Sequence, residues 1–205
     1  TSGNTNHFTS TSVTVGAHIT EDTCTNNFCT LNTSNKSTGS ILKHGNTEHV
    51  NTANDQGSVG TLGFRSGKWY WEVALVKQIE AGISVDSDYV QLNNDGTVGS
   101  NDANVGGTGG VLLIYFGKDG SFQVNGNPAG NANETKDFSS LTSEIIIPLF
   151  TIGTGSSASF KVNFGCPAHD ISTGHTDGNG FGNFEFAVPD GFFALCTQNL
   201  ARYGG

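Results

Sequence analysis

The stretch Gly67-Lys68-Trp69-Tyr70-Trp71-Glu72-Val73 packs three aromatic rings and a valine into seven residues. Aromatic and β-branched side chains suit a pleated, half-buried strand, and the leading glycine punctuates its start. In a strand, successive side chains alternate between faces. Trp69 and Trp71 therefore share one face, and Tyr70 and Glu72 share the other. Trp71 reads as core, because aromatics two residues apart usually pack together. Trp69 lies nearer the strand end and reads either as core or as a ligand platform. Working outward, residues 68–76, 80–85, 89–92, 111–116, 121–124, 145–152, 157–164 and 192–196 carry the same signature between Gly, Asn, Asp and Ser clusters. Gly117-Lys118-Asp119-Gly120 reads as a tight turn joining 111–116 to 121–124. Gly153-Thr154-Gly155 predicts a second hairpin, joining 145–152 to 157–164. The continuous apolar runs 111–116 and 145–150 suit central strands covered on both faces, whereas Ala158, Phe160, Val162 and Phe164 alternate onto one face. No stretch of ten residues keeps helical spacing. The fold class is all-β and antiparallel with almost no helix, a sandwich or a barrel.

Composition narrows the rest. A chain of 205 residues fits one large domain. Only 13% of residues are charged, so Asn, Ser, Thr and Gly must keep it in solution. Eighteen acids against nine bases give a net charge of −9, which argues against nucleic acid as a partner. The longest apolar run, 111–116, falls far short of the roughly 18 residues that cross a membrane, so no membrane insertion is expected. The sequence has no Met and begins at Thr1, which reads as a processed chain or part of a longer one. Residues 1–60, rich in Thr, Asn and Ser, predict loops and edge strands wrapping the sandwich. Residues 93–110 and 168–183 predict long polar loops.

The order of the motifs resembles the SPRY-domain family. Its Gly-Lys-x-Tyr-Trp-Glu-Val strand matches residues 67–73, and Gly82-Ile83-Ser84 matches its Gly-Ile strand. Leu112 to Phe116, followed by Phe122-Gln123-Val124-Asn125-Gly126, resembles its hairpin ending in Asn-Gly. Pro148-Leu149-Phe150, Val162-Asn163-Phe164-Gly165 and Pro189-x-Gly191-Phe192-x-Ala194-Leu195 follow in order. The series covers about residues 60–200. Glu21-Asp22-Thr23-Cys24-Thr25-Asn26-Asn27-Phe28-Cys29-Thr30-Leu31-Asn32 and the ending Cys196-Thr197-Gln198-Asn199-Leu200 are similar to SPRY-like modules of bacteriophage structural proteins. The resemblance implies an antiparallel two-sheet β-sandwich, a SPRY or concanavalin-like jelly roll, over 21–205, preceded by an extended arm at 1–20. It implies a non-catalytic binding or scaffolding role in the virion, as a tail-fibre, baseplate or capsid-decorating module. Expected partners are other virion proteins or a host-surface glycan or protein, with homo-oligomer formation left open. The loops lack the basic and hydrophobic residues that eukaryotic members use for peptide motifs.

Candidate chemistry is sparse. Cys24-x4-Cys29-x14-His44-x4-His49 approaches a Cys2His2 zinc spacing, but Gly45-Asn46 makes a poor helix for its two histidines. The alternatives are a Cys24–Cys29 disulfide and free thiols. Cys166 and Cys196 read as small buried hydrophobes. Gly153-x-Gly155-x-x-Ala158 imitates a dinucleotide fingerprint, but an alternating strand follows it instead of a helix. No nucleophile elbow, phosphate loop or His-Glu-x-x-His motif occurs. Glu72 has no second Glu in its strand, so the acid pair of a carbohydrate-active enzyme, the competing reading, is not visible. Asp86, Asp88, Asp95 and Asp102 read as turn residues rather than Ca²⁺ ligands. No cofactor or metal is expected. His169 and His175 flank a loop, with nothing to bring them together. Asn163 reads as a turn or backbone-bonding residue. Binding is expected on loops at the ends of the sandwich. The candidates are Asn94, Asp95, Asn101 and Asp102 in the first long loop and His175 and Asp177 in the second. Tyr89 and Phe181 offer aromatic faces at the loop bases, and neither loop is expected to supply core residues.

Overall fold

The computed structural model describes residues 21–52, 56–75, 80–85, 88–92, 111–117, 121–127, 134–136, 145–152 and 159–205. The 1–20 arm and the 93–110 loop lie outside the described residues. The strands are β1 (Leu31–Lys36), β2 (Ser40–Lys43), β3 (Glu48–Asn51), β4 (Gln56–Gly60), β5 (Lys68–Leu75), β6 (Glu80–Val85), β7 (Asp88–Leu92) and β8 (Val111–Gly117). They continue with β9 (Ser121–Asn127), β10 (Glu134–Lys136), β11 (Ile146–Ile152), β12 (Ser159–Asn163) and β13 (Phe193–Ala194), and the chain closes with helix α1 (Thr197–Tyr203). One sheet runs β1-β4-β11-β6-β7, and the other runs β10-β9-β8-β5-β12-β3-β2. Pairing is antiparallel except for β13, which lies parallel to the start of β5. The strand pattern predicted the almost all-β fold, and the resemblance its division into two sheets.

β5 is central and has two working faces. Trp69, Trp71 and Val73 enter the core between the sheets, with Phe160 and Val162 of β12, Ile146 and Phe150 of β11, Leu31 of β1 and Phe164. Both tryptophans are fully buried, so Trp69 is core and not a platform. Tyr70 points the other way, into a second cluster with Phe28, Phe184, Ala194 and Cys196. The carboxy-terminal segment thus forms a third layer over the outer face of β5. Gly165 makes its entry possible. Its φ is +120°, and a Cβ there would stand 2.5 Å from the Phe28 ring and 3.0 Å from the Gly182 backbone.

Three expectations are corrected. Residues 145–152 and 157–164 do not form a hairpin. β11 lies between β4 and β6, and β12 between β5 and β3, so the chain changes sheet between them. A Gly-Thr-Gly turn signal marks where a strand ends and does not say what the next strand pairs with. Residues 31–60 supply more than edges. β1 and β2 are edge strands, but β3 and β4 are interior. Gln56-Gly57-Ser58-Val59-Gly60 is small and polar, yet buried from Gly57 onward, because it lies between β1 and β11, and its Ser58 Oγ meets His49 Nδ1 at 2.8 Å. Finally, the expected strand at 192–196 shrinks to two residues, and the chain continues into α1.

Candidate functional site

Glu72 occupies the outer face of β5 beside Tyr70, and it is 2% exposed. Its Oε1 accepts from the Tyr70 hydroxyl at 2.8 Å and from Phe186 N at 2.9 Å. Its Oε2 accepts from Asn163 Nδ2 and from Glu185 N, both at 3.1 Å. A carboxylate offers about four acceptor positions, and these donors fill them. Burial pushes the Glu72 carboxyl above its usual range, and the four donors pull it back. Glu72 thus fastens the segment at 185–186 to the sheet. Asn163 completes the clasp, accepting from Gly165 N at 2.8 Å and donating to Asn183 O at 2.9 Å. The Asn-Phe-Gly motif is a backbone-bonding turn.

Next to this clasp lies a half-open pocket of about 280 Å³, lined by Glu72, Ala74, His169, Asp170, Ile171, Ser172 and Glu185. Glu185 accepts from Ser172 N at 2.7 Å and from Ser172 Oγ, and these bonds hold its carboxyl below the usual range. His169 Nδ1 is buried without a hydrogen-bond partner. Burial, and then Lys161, push the His169 imidazole down, so the ring is neutral near pH 7. Sequence reading missed this pocket. Glu72 and Glu185 are 113 residues apart, and no local spacing signals that the chain will fold back there.

The candidates chosen from sequence fare differently. Asn94, Asp95, Asn101 and Asp102 lie outside the described residues. Tyr89 sits in β7, opposite Ser84. His175 is exposed and bridges Phe184 through the backbone. Phe181 is half-buried against the outer cluster. Asp177 is corrected from a binding residue to an internal anchor. It is 4% exposed, its Oδ1 accepts from Asn179 N and Phe181 N, and its Oδ2 accepts from Ala194 N and from Asn199 Nδ2 at 2.7 Å. The 168–183 loop therefore does supply interior groups. Cys24 and Cys29 are both free thiols, the first exposed and the second buried. Burial pushes the Cys29 thiol up to about 11. His44 pairs with Glu48 at 3.0 Å on the surface, while His49 is buried against Phe160. Among the described residues, no three His, Cys, Asp or Glu side chains converge as metal ligands.

No family profile and no curated sequence matches the chain. Among solved structures it is similar to the TRIM65 PSpry domain, at 12% identity over 66% of this chain and 92% of that domain, with a TM-score of 0.52. The fold is SPRY-like. The chain is also similar to the SPRY domain of human HERC1, at 11% identity, 64% and 96% coverage and a TM-score of 0.49. Stonustoxin shares 19% identity over 66% of this chain, but over 27% of its own, with a TM-score of 0.47. At such identities the likeness concerns the fold alone.

Proposed function

We propose that this SPRY-like chain is a non-catalytic binding module, working as a tail-fibre, baseplate or capsid-decorating part of a phage particle. One observation carries the non-catalytic reading: the carboxylate at the pocket floor is consumed by the fold. Glu72 and Glu185 line one pocket, which is the arrangement a glycosidase would use. A general acid there needs a raised pKa and an oxygen aimed at the leaving group. Glu72 is raised, but each of its oxygens already accepts two hydrogen bonds. Glu185 is lowered, the wrong direction for an acid. The pair suits holding, not proton transfer.

The virion assignment rests on the resemblance of residues 21–32 and 196–200 to phage modules. Support comes from their packing: Phe28 bridges Cys196, and Thr197 N donates to Asn27 O at 2.9 Å. The two phage-like segments form one structural unit. Contacts with a host surface or neighbouring subunits fall to the 93–110 loop, through Asn94, Asp95, Asn101 and Asp102, with Tyr89 at its base. Mass spectrometry of purified particles should find the chain in stoichiometric amounts, and incubation with host glycans should release no sugar. Sugar release would refute the non-catalytic reading, and absence from particles would refute the virion reading.

A further inference from the structure

We propose that the pocket beside Glu72 receives one basic side chain, a lysine or arginine presented by a partner protein. At about 280 Å³ the pocket is at the lower limit for small-molecule sites and suits one side chain. Its polar groups are unbalanced. Asp170 is exposed, and among the described residues no hydrogen bond or ion pair engages its carboxylate. Glu185, which takes two bonds from Ser172 and is also approached by the Thr173 backbone, keeps an acceptor position. His169 Nδ1 has no partner, and in the tautomer protonated on Nε2 it accepts as well. Glu72 has nothing left to offer. The unfilled groups therefore ask for hydrogen-bond donors, and among side chains only ammonium and guanidinium donate several bonds while accepting none. Ala74 and Ile171 supply apolar walls for the methylene stem of such a residue. Among the described residues that line the pocket, none carries a lysine or arginine side chain. Lys161, opposite Ala74 on the neighbouring strand and close enough to act on His169, is one positive charge against the two carboxylates of Asp170 and Glu185. The chain as a whole, at −9, favours approach of a cation.

This proposal rests on the binding-module reading, but the two fail separately. Glycan hydrolysis would sink the module reading, whereas indifference to basic probes sinks only this one. The test is a titration of the ¹⁵N-labelled protein with N-acetyl-arginine amide, N-acetyl-lysine amide and the neutral N-acetyl-citrulline amide. Saturable shifts of the His169, Ile171 and Ser172 amides are expected with one or both basic probes and not with citrulline. Asp170→Asn and Glu185→Gln should each weaken binding by about tenfold, as loss of a charge-assisted hydrogen bond does. Asp170 is exposed and makes no internal bond, so its variant folds. Equal binding of citrulline, no shift with either basic probe, or unchanged affinity in Asp170→Asn would overturn the proposal.

Discussion

Glu72 and His49 show two ways of burying a titratable side chain, and the difference is measurable. Glu72 is surrounded by donors, and truncating it to Ala would remove the acceptor of two backbone N–H groups and one bond each from the Asn163 amide and the Tyr70 hydroxyl. Each buried group left unsatisfied costs about 1–3 kcal/mol, so Glu72→Ala should destabilise by at least about 3 kcal/mol in urea melts. Glu185→Gln, at the exposed end of the same pocket, should leave the melting temperature nearly unchanged. Equal losses for the two would show that Glu72 is not the clasp. His49 is buried with Nδ1 on Ser58 and Nε2 unpartnered, stacked 4.9 Å from the Phe160 ring. Burial, and then Lys36, lower it from 6.5 to about 4. A histidine depressed in the folded state contributes stability that is complete above 6.5 and lost as pH falls to about 4. The window is worth up to about 3 kcal/mol. His169 is shifted the same way and adds to the trend. Wild type should therefore lose more stability than His49→Gln between pH 7 and pH 4.5. Parallel curves would count against a buried neutral His49.

At the scale of elements, what could be read in advance was what a strand announces by itself. The alternation at Phe160, Val162 and Phe164 showed which face is buried, and all three side chains are in the core. The aromatic run of β5 marked the strand on which everything else is hung. What stayed hidden depends on distant partners. β4 reads among loops and edge strands because it is small and polar, and its place between β1 and β11, with Ser58 and Gly57 bonded across to His49 and Ser40 of the other sheet, is announced by no local pattern. The pocket required residues 72, 169–172 and 185 to meet. The 168–183 loop is expected to face outward as a binding loop because it is polar, yet Asp177 uses that polarity inward, holding Ala194 and Asn199. That difference makes a prediction. Replacing 168–183 by a short Gly-Ser link should abolish cooperative thermal unfolding, since it removes Asp177 and the Phe181 contact with the outer cluster. A sharp, unshifted melt of that variant would mean that Asp177 anchors nothing.

Residues 26–27 are joined to the carboxy-terminal segment, which closes the described part of the molecule. Asn26 Oδ1 accepts from Gln198 N at 3.1 Å, and Asn27 O accepts from Thr197 N, so a segment about 170 residues upstream caps the first turn of α1. The residue at the cap position, Cys196, makes no side-chain cap of its own. From the helix, Asn199 Nδ2 reaches Asp177 and Ala194 O, the Tyr203 ring stacks 4.2 Å from Phe193, and Gly204 O accepts from Arg65 N at 2.9 Å. A seven-residue helix is too short to persist unaided, so these contacts must supply its stability. They also cover the edge of the core where Phe193, Leu200 and Tyr203 pack. Asn26→Ala should then cost about 1–2 kcal/mol, as loss of a helix cap does. Asn199→Ala should cost more, because it also leaves Asp177 without its side-chain donor. The double variant should cost less than the sum, since once α1 is undocked the second change has little left to remove. Deleting residues 197–205 should abolish the cooperative transition followed through Trp69 and Trp71, whose burial in the inter-sheet core makes their fluorescence report on its packing. If the truncated chain melts as sharply and as late as the full one, α1 is a passenger and the sandwich closes without it.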